Sequence, residues 1–267
     1  MNIVSFGGGT NSTAMLIEMQ RREITVDLIL FADTGGERSE TYAFIDLFND
    51  WLKHHNMPSI TIVKYFNKHG ERLSLEDECL KGGKLPAIAY GIKQCSLKHK
   101  IGTQDKYCNN HLQCREVWKS GERVNKFIGY DAGEPQRKDH AAELDATNKK
   151  YKNQYPLIEW GLTRNDCSQI IKEAGLPQPG KSSCFFCPSM KKAEIQGLWI
   201  EHPDLFQRAV DIERNAKDSL ITVKGLGRNW SWESYRDLYE ANGNLFDFID
   251  SSPNGCQCGL PCGCYDG

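Results

Sequence analysis

The sequence predicts an α/β fold on a mainly parallel sheet, and three observations carry that reading. Short apolar runs recur at residues 1–6, 26–31, 60–63, 126–130 and 155–158. Stretches with helical spacing lie between or after them, at 40–55, 112–120 and 164–174. Such alternation of strand and helix signals is the pattern of βα units with parallel strands. Third, the loops after the first, second and fourth runs are glycine-rich and polar, and ligands of open parallel sheets bind at the carboxyl ends of the strands.

Taken in order, the first run is apolar at Ile3, Val4 and Phe6 and enters the stretch SFGGGTNSTA, Ser5 to Ala14. Beyond the glycines, Ala14, Met15, Leu16, Met19 and Ile24 recur at roughly helical spacing. Thr10, Asn11 and Ser12 are N-cap candidates for that helix. A strand, a glycine turn and a helix start aim unpaired N–H groups and a positive helix end at one point, which suits an anion. An ordinary βα turn is the bland alternative. The stretch lacks the Gly-Lys-Ser/Thr ending of a Walker loop and the third glycine of a dinucleotide fingerprint.

The second run ends at Ala32-Asp33-Thr34-Gly35-Gly36, and the fourth at Gly129-Tyr130-Asp131-Ala132-Gly133-Glu134. The three loops are expected to share one rim. Past about Gly180 the strand signal fades, and residues 191–201, 203–215 and 232–241 read as helices. The expected organisation is an α/β domain over residues 1–180 and a helical, cysteine-rich subdomain over 181–267.

The 267 residues are enough for one full core with a smaller appendage. A net charge of −2 excludes a globally basic nucleic-acid binder but not a local patch. No apolar run reaches the length of a membrane span, and the start of the chain has no basic segment leading into an apolar signal core. The expectation is a cytoplasmic protein with no membrane partner. Eleven cysteines in such a chain point to metal or redox chemistry more than to a disulfide frame.

SFGGGTNSTA resembles the PP-loop of ATP pyrophosphatases, Ser-Gly-Gly-x-Asp-Ser. In register, Gly7-Gly8-Gly9-Thr10-Asn11-Ser12 carries Gly for the first Ser and Asn for Asp. FADTGGERSETY resembles the Asp-Thr-Gly…Glu-Thr-Tyr segment of proteins similar to phosphoadenosine phosphosulfate (PAPS) reductase. IGYDAGEPQR is similar to the later Gly-x-x-x-x-Glu-x-x-Arg loop of those proteins, and KSSCFFCP to the cysteine motif of their nucleic-acid-modifying, sulfurtransferase-like branch. The resemblance covers most of residues 1–200.

It implies a Rossmann-like fold of the adenine nucleotide α-hydrolase type, with helices on both sheet faces. It implies binding of ATP or a related adenine nucleotide and cleavage at the α-phosphate. A substrate carbonyl oxygen is adenylated, and a nucleophile such as sulfide then displaces AMP. In that transfer, preorganised N–H donors and cations carry most of the catalysis.

The resemblance places the phosphates over the amides of Gly8, Gly9, Thr10 and Asn11, within the loop that starts at Ser5 and Gly7. The hydroxyls of Ser12 and Thr13 stand beside them. Asp33 and Thr34 are nucleotide contacts from the second loop, and Gly129 and Glu134 come from the later loop. Arg137 is a bidentate phosphate clamp or, alternatively, one half of an ion pair with Glu134; Lys138 is a weaker companion. Glu40 is a site residue or a helix-start carboxylate. Asn11, Ser12, Asp33 and Arg137 are the expected catalytic set, with Mg²⁺ as cofactor. Asn11 for Asp removes a charge from the usual motif, and Thr10 for the common Lys removes a cation.

Cys184-Phe185-Phe186-Cys187 is a C-x-x-C whose sulfurs can reach one metal or cluster, or act as a dithiol. In the nucleic-acid-modifying branch a cysteine placed like Cys95 joins the later pair, and Cys167 is the fourth candidate or else a buried helix cysteine. A 4Fe-4S cluster at Cys95, Cys184 and Cys187, with or without Cys167, is the leading expectation, with Zn²⁺ the alternative. Cys256, Cys258, Cys262 and Cys264 form a second candidate set, for an ion or for persulfide relay.

Between Lys93 and Lys126 stand eight Lys or Arg against three Asp or Glu, interleaved with Tyr107, His111 and Trp118. Such a segment can follow the phosphate backbone of tRNA or DNA, or be a solvated helical surface. Three functional readings follow. The first is a PP-loop enzyme that adenylates nucleic acid for sulfur transfer, with a sulfur-donor protein as partner. The second is a PAPS or adenylyl-sulfate reductase, disfavoured because no Glu-Cys-Gly-x-His segment is present. The third is a nucleotide-binding regulator without turnover.

Overall fold

The structure is a computed structural model that describes residues 1–242. Its elements run β1 Asn2–Phe6, α1 Thr10–Arg21, β2 Leu28–Asp33, α2 Ser39–His54, β3 Ile60–Lys64, α3 Leu75–Gly82, α4 Gly102–Asn110, α5 Leu112–Lys119, β4 Val124–Ile128, α6 Pro135–Thr147, β5 Tyr151–Gln154, α7 Pro156–Glu159, α8 Arg164–Glu173, α9 Lys192–Glu201, α10 Pro203–Ala216 and α11 Trp232–Asn242. The fold is α/β and Rossmann-like: five strands in the order β3-β2-β1-β4-β5, all parallel.

The period-two alternation of the central strands sorts their side chains onto two faces. Val4, Phe6, Ile29 and Phe31 pack with Leu16 and Met19 of α1, Phe44 and Phe48 of α2 and Ile170 and Ile171 of α8. Ile3, Leu28, Leu30, Ala32 and Val124 point the other way, against Cys108 of α4 and Cys114 of α5. Phe6, Phe48, Phe44 and Trp51 form a stacked ladder through the first face.

The fifth strand departs from expectation. It is Tyr151–Gln154, while residues 155–158 turn into α7. Pro156 explains the shift, since it has no N–H for a ladder but suits the first turn of a helix. The strand it displaced is polar, YKNQ, which an edge position tolerates.

The chain divides into two compact units. One is Met1–Arg72 with Leu97–Ser183; the other is Leu73–Ser96 with Cys184–Gly267. Residues 73–96 thus belong with the helical unit and not, as expected, with residues 1–180. Leu75, Cys79, Leu85 and Ala89 join the same apolar cluster as Ile195, Leu198, Phe206 and Trp232. Arg208 reinforces this through a forked pair to Glu76, with Nε to Oε1 at 2.9 Å. Among the described residues no helix is long and apolar enough to cross a membrane.

Candidate functional site

The order of the strands reverses between β1 and β4, so the crevice outside their carboxyl ends is a topological switch point. The glycine loop fills one side of it. Gly8 has φ +77°, and a Cβ there would stand 3.2 Å from Phe31 and 3.3 Å from Thr41. Both the backbone sign and the close packing require glycine. The N-cap of α1 is Gly9, without a side-chain cap, and not Thr10, Asn11 or Ser12. The reason is visible in the hydroxyls. Ser12 Oγ accepts from Gly7 N–H at 3.2 Å and donates to Gly9 O at 3.1 Å, and Thr13 Oγ1 donates to Gly9 O at 2.9 Å. Those two groups brace the loop from inside the helix.

The first bond of α1 runs from Thr13 N–H to Gly9 O at 3.1 Å. Ahead of it, the amides of Gly8, Gly9, Thr10, Asn11 and Ser12 have no acceptor among the described residues. Several donors at a helix N-terminus form an anion cradle. Ser182, which the sequence did not single out, lies over it: a Cβ on Gly9 would sit 2.7 Å from Ser182 Oγ.

The exit of β4 forms the other wall. A Cβ on Gly129 would be 3.1 Å from Ser12 N and 3.2 Å from Ser12 Cα, so only glycine lets β4 abut the start of α1. Two residues later comes Asp131, 4% exposed. Its Oδ2 accepts from Asn11 Nδ2 at 2.8 Å and its Oδ1 from Gly133 N–H at 2.8 Å. Asn11 Oδ1 is buried and has no partner among the described residues. Glu134 and Arg137 pair with each other at 2.9 Å, and the Arg137 guanidinium stacks 3.9 Å from the Tyr130 ring centre. Of the two roles expected for Arg137, the ion pair with Glu134 is the one formed here. Ser5 faces the opposite side of β1 and donates to Gln104 Oε1 at 2.9 Å.

The loop after β2 is more densely bonded. Asp33 Oδ1 accepts from Gly35 N–H and Tyr42 Oη, each at 2.7 Å; its Oδ2 lies 3.5 Å from Arg72 and 3.6 Å from Lys64. Burial and the Asp33 carboxylate push the Tyr42 hydroxyl pKa well up. Thr34 Oγ1 donates to Glu37 Oε1 at 3.3 Å. Glu37 is buried, and its Oε2 has no partner among the described residues. Burial raises the Glu37 pKa, against the pull of Lys100 and Thr34. No sequence signal marks Glu37. Glu40 is exposed in the first turn of α2, where a carboxylate complements the helix dipole.

The cysteines divide between the units. Cys95, Cys184 and Cys187 belong to the helical unit, where Cys187 N–H donates to Cys184 O at 3.0 Å. Cys79 lies in the same unit, with its thiol pKa pushed up to about 12 by burial. Cys167 is fully buried on α8 in the apolar core of the α/β unit, and burial pushes its thiol up to about 12 as well. That is the environment of a core cysteine and not of a thiolate ligand. Among the described residues, no three His, Cys, Asp or Glu side chains converge as metal ligands. Among the described residues, neither Cys95, Cys184 and Cys187 nor that set with Cys167 is assembled as a metal site. Cys256, Cys258, Cys262 and Cys264 lie outside the described residues.

Cys108 and Cys114 form a separate buried thiol pair. The Cys114 hydrogen bond lowers the Cys108 pKa to about 7, helped by Tyr151 and Lys126, while Cys114 is raised. The cationic segment is broken up by the fold. Lys126 is buried on β4, 3.4 Å from Asp105 and 4.9 Å from the Tyr151 ring centre. Trp118 donates from Nε1 to Lys150 O at 2.8 Å and packs edge-on against Tyr151. The two helices run from Gln104, beside Ser5 and Leu30, to Cys114, 3.6 Å from Met1 Sδ. Arg115 and Lys119 of α5 are thus carried toward the amino edge of the sheet, away from the crevice.

No family model and no curated protein matches the chain. Among solved structures, the U34-tRNA thiolase NcsA from Methanococcus maripaludis with its 4Fe-4S cluster is similar over 81% of this chain and 72% of its own, at 13% identity and a TM-score of 0.44. A likeness that slight adds nothing to what the strand order already shows.

Proposed function

We propose that this protein binds the phosphates of ATP or a related adenine nucleotide in the crevice between β1 and β4, and cleaves ATP at the α-phosphate to adenylate a substrate. One observation carries the reading: a run of amides without acceptors among the described residues at the start of α1, at the switch point of a parallel sheet. Donors already oriented cost no reorganisation when charge builds on phosphoryl oxygens. Gly9 keeps the loop open, Ser12 and Thr13 hold its curvature, and Gly129 brings the second wall to the helix start.

Within the same reading the acceptor is nucleic acid and the nucleophile a sulfur. The resemblance of KSSCFFCP to the nucleic-acid-modifying branch supports that. No step is assigned to an iron–sulfur cluster. A second reading, nucleotide binding without turnover, is favoured by the Arg137–Glu134 pair and by Asn11 in place of an acid.

Gly9→Val tests the seat. The variant should fold, with its circular dichroism unchanged, and lose ATP binding by at least tenfold in calorimetry. Full affinity in the variant rejects the crevice. ATP–pyrophosphate exchange by the wild type then separates turnover from simple binding.

A further inference from the structure

The chain leaves β3 through Lys64-Tyr65-Phe66-Asn67-Lys68-His69-Gly70-Glu71-Arg72, where cations alternate with aromatic rings. The stretch folds back on itself as a small hairpin. Phe66 and Arg72 pair in an antiparallel bridge, and Asn67 N–H donates to Glu71 O at 2.9 Å. The Asn67 side chain fixes the turn. Its Oδ1 accepts from His69 N–H at 2.9 Å and from Glu71 N–H at 3.1 Å, and its Nδ2 donates to Glu71 Oε2 at 2.9 Å. Gly70 closes the turn at φ +81°, in the left-handed region that favours glycine. The arm is thus shaped by its own backbone and one asparagine. What it displays is not core: among the described residues, none of 64–72 joins an apolar cluster. Phe66 is 43% exposed, and Lys68 and His69 are exposed at the tip. Tyr65 is half-buried, with Lys98 Nζ and the His99 ring centre each 4.8 Å from its own ring centre.

At the base of the arm, Lys64 and Arg72 share Asp33 Oδ2, at 3.6 Å and 3.5 Å. One carboxylate balances only one of them, and Lys64, Lys68 and Arg72 against Asp33 and Glu71 leave a positive excess. Asp33 ends β2, so the arm stands at the carboxyl end of the sheet, the end that holds the crevice. β3 lies two strands from β1, about 10 Å at the usual strand spacing. Resting on the reading that the acceptor is nucleic acid, we infer that residues 64–72 are the arm that docks a single strand of it beside the crevice. Phe66 is the platform on which a base stacks. Lys68 at the tip and Lys64 and Arg72 at the base follow the phosphates, releasing counterions as they do so. Every base has a π-face, so the platform holds a strand without selecting its sequence. A duplex keeps its bases stacked on one another and offers the arm its phosphates alone.

The test is fluorescence anisotropy with labelled oligo(U), oligo(dT) and a mixed-sequence duplex of equal length, without ATP and over a range of salt. Wild-type protein should bind a single strand more tightly than the duplex, and the tighter of the two single strands shows which sugar the arm prefers. Phe66→Ala should weaken that binding by about fivefold or more, and Phe66→Trp should keep it. Lys68→Gln should flatten the slope of log affinity against log salt by about 0.7, and it carries the test should Phe66→Ala not fold. Lys119→Gln, on α5, should alter neither affinity nor slope. ATP affinity in Phe66→Ala should stay that of the wild type. Full oligonucleotide affinity in Phe66→Ala overturns the inference, as does an unchanged slope in Lys68→Gln or a duplex bound as tightly as the single strands. In those cases nucleic acid still binds and the acceptor reading survives. A loss of ATP binding in Phe66→Ala overturns the arm too, since the ring would then support the crevice. Binding of none of the probes by the wild type removes the nucleic-acid acceptor and the arm together.

Discussion

Two buried acidic regions of this molecule use the same chemistry to opposite ends. In the helical unit, Glu213 of α10 is 5% exposed and receives the amides of Leu226 at 2.6 Å, Trp232 at 2.9 Å and Glu233 at 3.4 Å. The turn wraps it so closely that a Cβ on Gly225 would stand 2.5 Å from Glu213 Oε1. Both of its oxygens are engaged, and it ties the 225–227 turn and the start of α11 to α10. In the α/β unit, Asn11 and Glu37 each leave one buried oxygen without a partner, and five amides of the glycine loop lack acceptors among the described residues. Buried polar groups are normally satisfied because desolvation is costly. Where the fold satisfies them it is building structure; the unsatisfied groups of the glycine loop are the ones the proposed nucleotide would engage.

The sharpest way to break that contrast is Glu213→Ala. It strips the acceptor from three backbone donors, and about 3 kcal/mol or more of stability should be lost in urea unfolding. Glu213→Gln should also destabilise, since one face of the side chain would turn a donor toward a donor. A loss below about 1 kcal/mol for Glu213→Ala would mean that water replaces the carboxylate, and that the two regions do not differ.

Gly129→Ala has a smaller expected effect on stability, about 1–3 kcal/mol, because the new methyl meets backbone of Asn11 and Ser12 that cannot rotate away. Its effect on nucleotide affinity should be the larger one. A variant that binds ATP normally would separate the glycine from the crevice.

Glu37→Gln should act in the reverse direction and most gently. Burial raises the Glu37 pKa above its ordinary 4.5. The folded state therefore holds that proton more tightly than the unfolded chain. The stabilisation is complete below pH 4.5 and is lost as pH rises through the folded pKa. Gln can still accept from Thr34 and has no charge to desolvate. Melting temperatures compared at acid and neutral pH should show the variant gaining on the wild type as pH rises. Parallel profiles would contradict a buried, strained carboxyl at this position.

Much of the fold was legible in the chain because it rests on local signals. The first three strands are short, largely apolar runs, the glycine triplet marks the turn between β1 and α1, and α10 and α11 show helical periodicity. β5 was misread because an edge strand can be polar while Tyr155-Pro156-Leu157-Ile158 looks like a strand and is a helix start. Residues 73–96 carry no composition shift, so their place in the helical unit depends on apolar partners more than 100 positions later, such as Phe206 and Trp232. The candidate site was legible only in part. Ser12 and Thr13 read from sequence as hydroxyls beside the phosphates, but helix start and loop curvature turn both onto Gly9 O. Cys167 reads from sequence as either a fourth thiolate or a buried helix cysteine, and packing makes it the latter.

The amino-acid sequence by itself determined that strand, glycine turn and helix would follow one another at β1 and again at β2, because backbone preference and the period of apolar residues act over a few positions. Only the tertiary structure decided that Asp131 meets Asn11, that Gly129 admits α1, that Glu37 is buried and that Lys126 is not a surface cation. Those outcomes depend on strand order and helix packing, where the energy lies in partners far apart in the chain and no short stretch encodes the pairing.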